Sequence, residues 1–197
     1  MRKIFVGAVV VAAMLLRPEV ARAGTHLRLL LHGFHQIEGS PWGLSAWVLA
    51  PSVTDVPDKW VGVAGVRYNP KDWWLEVMTG AVIQGGKATP LIDLRAFYKG
   101  LAPVIFWTNW QWINYLEPDA STIYAYLMAD VIVPWKAGGL GFNIGVETEN
   151  FFPIHQPERL AFGPHIVIPL KPLAFVFALQ FTNHASEELW LRITYNP

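Results

Sequence analysis

Two groups of side chains in this 197-residue chain have types and spacings that could do chemistry. The first is His184-Ala185-Ser186, followed at once by Glu187 and Glu188. A histidine could take the serine proton while a carboxylate orients the imidazole, which is how a hydroxyl nucleophile is activated. These residues fall in a short hairpin loop, however, and the glutamates are adjacent rather than on a separated strand position. The second group is spread along the chain: Arg28, Arg67, Glu76, Asp93, Arg95, Asp130, Glu147, Glu149, His165, Glu188 and Arg192. Gathered on one surface, these charges either neutralise one another in a filled interior or line a narrow path with an acidic mouth and a basic inner ring. Arg95 and Glu76 are the pair expected to meet across neighbouring strands.

Other motifs lose their chemistry on inspection. His32 and His35 are three apart, which on a strand points them to opposite faces, so they cannot share a metal ion. Gly85-Gly86-Lys87 lacks the upstream glycine of a phosphate loop, and Ala88 stands where a magnesium-binding hydroxyl is needed, so it reads as a hairpin. The chain has no cysteine. No metal or cofactor is expected.

The elements that must position the charges are strands. Leu140–Asn150 displays the pattern: Leu140, Phe142, Ile144 and Val146 fall on one face, and Gly141, Asn143, Gly145, Glu147 and Glu149 on the other. Similar period-2 segments recur from residue 25 onward, and predict about ten strands, near 25–36, 59–69, 72–84, 90–99, 103–115, 121–135, 139–150, 158–170, 173–183 and 187–196. Every second break is tight, at Asn69-Pro70-Lys71-Asp72, Lys99-Gly100-Leu101-Ala102, Lys136-Ala137-Gly138-Gly139 and Lys171-Pro172, all rich in turn residues. The remaining breaks are mostly longer, and the longest loop is expected at 37–58. Ten strands would place both termini at the tight-turn end.

One face of these strands carries no charge, as in Trp73, Leu75, Val77, Thr79, Ala81 and Ile83 or Leu173, Phe175, Phe177, Leu179 and Phe181. The other mixes the charges above with Gly, Ala, Asn and bulky residues such as Trp74, Met78, Trp107, Tyr124, Tyr126 and Trp190. Large and small residues with paired charges suit a confined lumen better than open solvent. Tyr68, Trp73, Tyr98, Trp135 and Tyr195 lie beside the tight turns, and Trp112, Tyr115, Phe151 and Phe152 at the opposite ends, as two interfacial belts would.

Residues 1–23 have the form of a secretory signal peptide: Met1-Arg2-Lys3, an apolar run over Ile4–Leu16, and Ala21-Arg22-Ala23 before Gly24. Its removal takes four of 15 basic and one of 15 acidic residues, leaving 11 and 14 and a formal charge of −3 over 24–197. No basic tract remains to follow a nucleic-acid backbone.

In alternation, turn asymmetry and belts, residues 25–196 resemble a small bacterial outer-membrane β-barrel protein. The resemblance implies an all-β fold, a single antiparallel transmembrane barrel with short periplasmic turns and longer extracellular loops. It also implies outer-membrane lipid and lipopolysaccharide as surroundings, and a structural or narrow-channel role with a possible small solute. One departure is the ending Tyr195-Asn196-Pro197, where such proteins often end on an aromatic residue. His184 and Ser186, with a separate glutamate such as Glu188, faintly resemble the His-x-Ser element of outer-membrane lipid A deacylases, which makes an outer-leaflet lipid-modifying enzyme one alternative. A secreted soluble β-barrel binding protein is the other.

Overall fold

A computed structural model describes residues 24–137, 140–184 and 186–196. Segment 1–23, Gly138, Gly139, Ala185, Pro197 and the side chains of Pro134, Trp135, Lys136, Ala137 and Leu140 lie outside the described residues. The strands are β1 (Gly24–Gln36), β2 (Trp42–Ala50), β3 (Trp60–Tyr68), β4 (Trp73–Gln84), β5 (Lys87–Leu101) and β6 (Val104–Ile113). They continue as β7 (Thr122–Ala137), β8 (Leu140–Pro153), β9 (Arg159–Leu170), β10 (Leu173–Thr182) and β11 (Glu187–Tyr195). Each pairs with its sequence neighbours, and β11 returns to β1, closing an all-β barrel.

Eleven strands rather than ten close the barrel, and the difference lies inside the expected 37–58 loop. β2 escapes the period-2 test because it is apolar on both faces. Trp42, Leu44 and Val48 are exposed while Trp47 and Leu49 are buried, with Ser45 the only polar lumen residue among them. An odd strand number has a topological consequence. β1 and β11 run in the same direction, paired in parallel from Gly24↔Glu188 to Leu31↔Tyr195, and every other neighbour pair is antiparallel. Gly24 therefore lies at one end of the barrel and Asn196 at the other, so the expectation of both termini at the tight-turn end is corrected. The short-turn end holds the connections after β1, β3, β5, β7 and β9, and the loop end holds those after β2, β4, β6, β8 and β10.

β1 is staggered between its neighbours: residues 24–31 pair with β11 and residues 29–36 with β2. The edge left free below β2 is covered by the 51–59 loop. Val53 donates its amide to the Leu27 carbonyl at 2.7 Å, and the Leu27 amide reaches Thr54 Oγ1 at 3.4 Å. His26 Nδ1 meets Asp55 Oδ2 at 2.5 Å. An uncovered edge would be a template for pairing with another chain.

The polarity of the wall is the reverse of a water-soluble core. Of the eight largest fully buried side chains seven are polar: Arg95, Gln180, Glu76, Glu147, Glu149, Asp93 and Asp130, with Leu91 the exception. Outside, Leu44, Val77, Leu94, Trp110, Leu127 and Phe162 are exposed. Near the short turns Trp42, Tyr68 and Trp73 form a ladder, with ring centroids 4.9 and 5.3 Å apart. At the loop end Trp60, Trp112 and Phe152 are exposed. Phe151 turns inward instead, beside Tyr124 and beneath Arg159.

Candidate functional site

The lumen is filled differently along its length. Over the loop half, β2–β5 contribute an apolar cluster of Trp47, Leu49, Val61, Val63, Met78, Val82 and Leu91, with Leu30 of β1 and Ile113 of β6 packed against it. The opposite wall, β7–β11 with β1, contributes ions. Arg192 Nη1 and Nη2 each donate to Glu147 at 2.6 Å, and Nη2 also reaches Glu149 at 3.2 Å. Arg28 donates to Glu149 at 2.5 Å, and the hydroxyls of Tyr124 and Tyr126 donate to Glu149 and Glu147 at 3.2 and 2.7 Å. Gln180 Nε2 adds a bond to Glu147 at 2.6 Å. These carboxylates are fully buried, and so many donors offset the cost of desolvating them.

Two glycines make this packing possible. Gly145 of β8 stands in register between Asp130 of β7 and His165 of β9. Lacking a side chain, it lets His165 Nε2 hydrogen-bond Asp130 Oδ1 across its strand, where a Cβ would lie 2.2 Å from Asp130 and 2.8 Å from His165. Gly163, paired with Glu147, lets the β10 backbone come close instead: its would-be Cβ would lie 1.7 Å from the Leu179 carbonyl oxygen and 3.0 Å from Gln180 Cα. The other nitrogen of His165 lies 3.3 Å from Glu147 but outside hydrogen-bond geometry.

Two further clusters sit on β2–β6. Asp93 accepts from Arg95 Nε and Nη2 at 2.9 and 3.0 Å, from Asn109 at 2.8 Å and from Gln111 at 2.7 Å. Glu76 accepts from Arg67 Nε at 2.8 Å, Trp47 Nε1 at 3.1 Å and the Ser45 hydroxyl. Arg95 stands directly across from Glu76 in register, yet its ion pair is with Asp93, and Glu76 takes Arg67. The expected Arg95–Glu76 pair is thus replaced. Arginine reaches i−2 on its own face as readily as across a strand, and Glu76 already has a cation on its β3 side.

Toward the short turns the lumen opens. A cavity of about 470 Å³ is lined by His32, Phe34, Trp47, Arg67, Trp74, Phe97, Trp107 and Asn196. It shares Trp47, Phe97, Trp107 and Asn196 with a second, deeper one of about 320 Å³, whose wall includes Asn109, Tyr124, Tyr126, Arg192 and Thr194. Around the opening, Asn196 Oδ1, His32 and Ser45 Oγ form a series, with 2.7 Å to His32 Nδ1 and 3.1 Å from Nε2. This is the order of a nucleophile, base and orienting amide. It is not used that way here: Arg67 Nη2, which can only donate, occupies His32 Nε2 at 3.0 Å, and Ser45 gives its proton to Glu76.

No family model, curated protein or solved structure matches this chain. The site therefore rests on its own geometry. His184, Ser186 and Glu188 do not converge: Ser186 Oγ lies 2.7 Å from Thr182 Oγ1, while Glu188 bonds Arg159 and, at 3.0 Å, Trp190 Nε1. No hydrogen bond joins His184 to either of them among the described residues. Sequence reasoning missed Ser45, Asn109, Gln111, Gln180 and Asn196 as members of the networks. The lumen face of a strand is readable at Gln180, Asn109 and Gln111 from period alone, but which acid each would serve depends on register.

Proposed function

We propose that this chain is an integral outer-membrane β-barrel whose lumen is stoppered over its loop half, and that it does not conduct as an open pore. The observation that carries this reading is the reversed polarity: charges buried inside, large apolar side chains exposed outside on all sides. In water, a continuous apolar exterior of this extent would associate or aggregate. In lipid it is the expected band, and a closed barrel leaves no unpaired backbone edge in the hydrocarbon. A soluble binding barrel would instead bury apolar residues and expose polar ones.

The tight-turn end faces the periplasm in this reading, with lipid and lipopolysaccharide around the wall. The stopper argues for a structural or receptor-like role over a narrow channel. Its ions are bonded to one another, and the neighbouring wall is packed with aliphatic side chains. The test has two parts. The unboiled protein should be recovered in the outer-membrane fraction and migrate differently on electrophoresis before and after boiling. In a planar bilayer the folded protein should show no steady ohmic conductance. Recovery from the soluble periplasm would end the membrane reading, and a stable open conductance would end the stoppered one.

A further inference from the structure

We infer that the two joined lumen cavities form a binding site for a small amphipathic organic anion, entered from the short-turn end. Three observations converge. The space is of ligand size: cavities of about 470 and 320 Å³ adjoin at four shared lining residues, and each falls within the usual range for small-molecule sites. Its walls are aromatic, with Trp47, Trp107 and Phe97 at the junction and Trp74 stacked on Phe97 at 5.8 Å. Such walls accept a flat or extended apolar body.

The polar groups on the wall are cations and neutral groups. Arg28, Arg67, Arg192, His32, Asn109, Asn196 and Thr194 line the two cavities, and no carboxylate does so among the described residues. The acids stand behind the wall: Glu76, Glu147 and Glu149 draw the guanidinium groups into place without facing the space. Arg28 and Arg192 border the deeper cavity and Arg67 and His32 the outer one, so positive groups line both parts of the space. A carboxylate or sulfonate head reaching toward Arg192, with an apolar body against the tryptophans, fits both halves of the wall. A cation would find no counter-ion on that wall, and a neutral molecule would gain nothing from the guanidinium groups that border it.

The wall encloses this space whatever surrounds the barrel, so its occupancy is independent of membrane location. The test uses 2-naphthoate as probe, with 2-naphthylmethanol and 2-naphthylmethylamine as neutral and cationic counterparts. Binding is measured by equilibrium dialysis against the folded protein in nonionic micelles, with empty micelles as background. Naphthoate should bind at least tenfold more tightly than either counterpart. Ala174→Phe fills the deeper cavity from β10 without removing a bonded group, and should weaken naphthoate binding at least tenfold. Val176→Phe is the second filling variant if the first does not fold, folding being read from heat-dependent migration. Equal binding of the three probes, binding no greater than to empty micelles, or undiminished affinity in a folded filling variant would each overturn the assignment.

Discussion

Glu76 has an arginine on each side in register, Arg67 on β3 and Arg95 on β5, and it bonds only the first. Arg95 turns back along its own strand to Asp93, lies over the Trp47 ring at 4.3 Å, and leaves Nη1 without a partner. Removing one member of a buried pair costs roughly 3–5 kcal/mol, because the survivor stays desolvated. Arg95→Ala should therefore destabilise the folded barrel by about that much, measured as a urea unfolding free energy in micelles. Adding Asp93→Asn should recover a substantial part of the loss, whereas adding Glu76→Gln should not. A larger coupling of Arg95 to Glu76 than to Asp93 would contradict the ion-pair assignment. The inward face of each of these residues is legible in the sequence, since a period of two suffices to sort charges from the apolar side. Their partners are not, because periodicity within a strand carries no information about stagger between strands. Gly145 illustrates the point: in the sequence it is a small residue on a polar face, and only register reveals Asp130 and His165 meeting over it.

At the level of elements, β2 is the strand the sequence conceals. Trp47 and Leu49 belong to the apolar stopper, so the lumen face there is as hydrophobic as the outer face, and alternation vanishes. Ten strands were legible because their lumen faces carry charges or small polar residues. The outer face of any strand offers a direct probe of its surroundings. Leu94 lies mid-way along β5 and is 43% exposed. Leu94→Arg should cost about 2–4 kcal/mol if lipid covers it. On a water-covered surface the change would stay within about 0.5 kcal/mol, so the unfolding free energy in bilayers separates the two cases. The loop after β2 responds to a different variable. The hydroxyl of Ser52, and then the His26 ring, hold the Asp55 carboxyl below its ordinary range. A carboxyl whose folded pKa is depressed contributes stability above its ordinary pKa and loses it as pH falls through the folded value. The protection factor for amide exchange at Val53, whose N–H bonds Leu27, should therefore fall on acidification below the ordinary carboxylate range. In Asp55→Asn the acid-dependent part should disappear; its persistence would assign the loosening to another group.

For the whole molecule, the parallel seam between β1 and β11 separates the two ends of the described chain by the height of the wall. Gly24 is level with Glu188, eight residues along β11 from Asn196, on the order of 26 Å of extended strand at the usual rise. In a barrel with an even number of strands, the ends can be joined by a few residues and the chain reopened at another turn. Here a four-residue join between Asn196 and Gly24, with new ends cut at Gly85-Gly86, should prevent closure, while cutting there without the join should be tolerated better. Heat-dependent migration of the two products reads the difference, and a closed, heat-modifiable four-residue permutant would refute the seam. The same parity limits how such a chain can change size. Gaining or losing hairpins shifts the count by two and leaves it odd, so hairpin duplication alone preserves a same-direction closure and only the gain or loss of a single strand abolishes it.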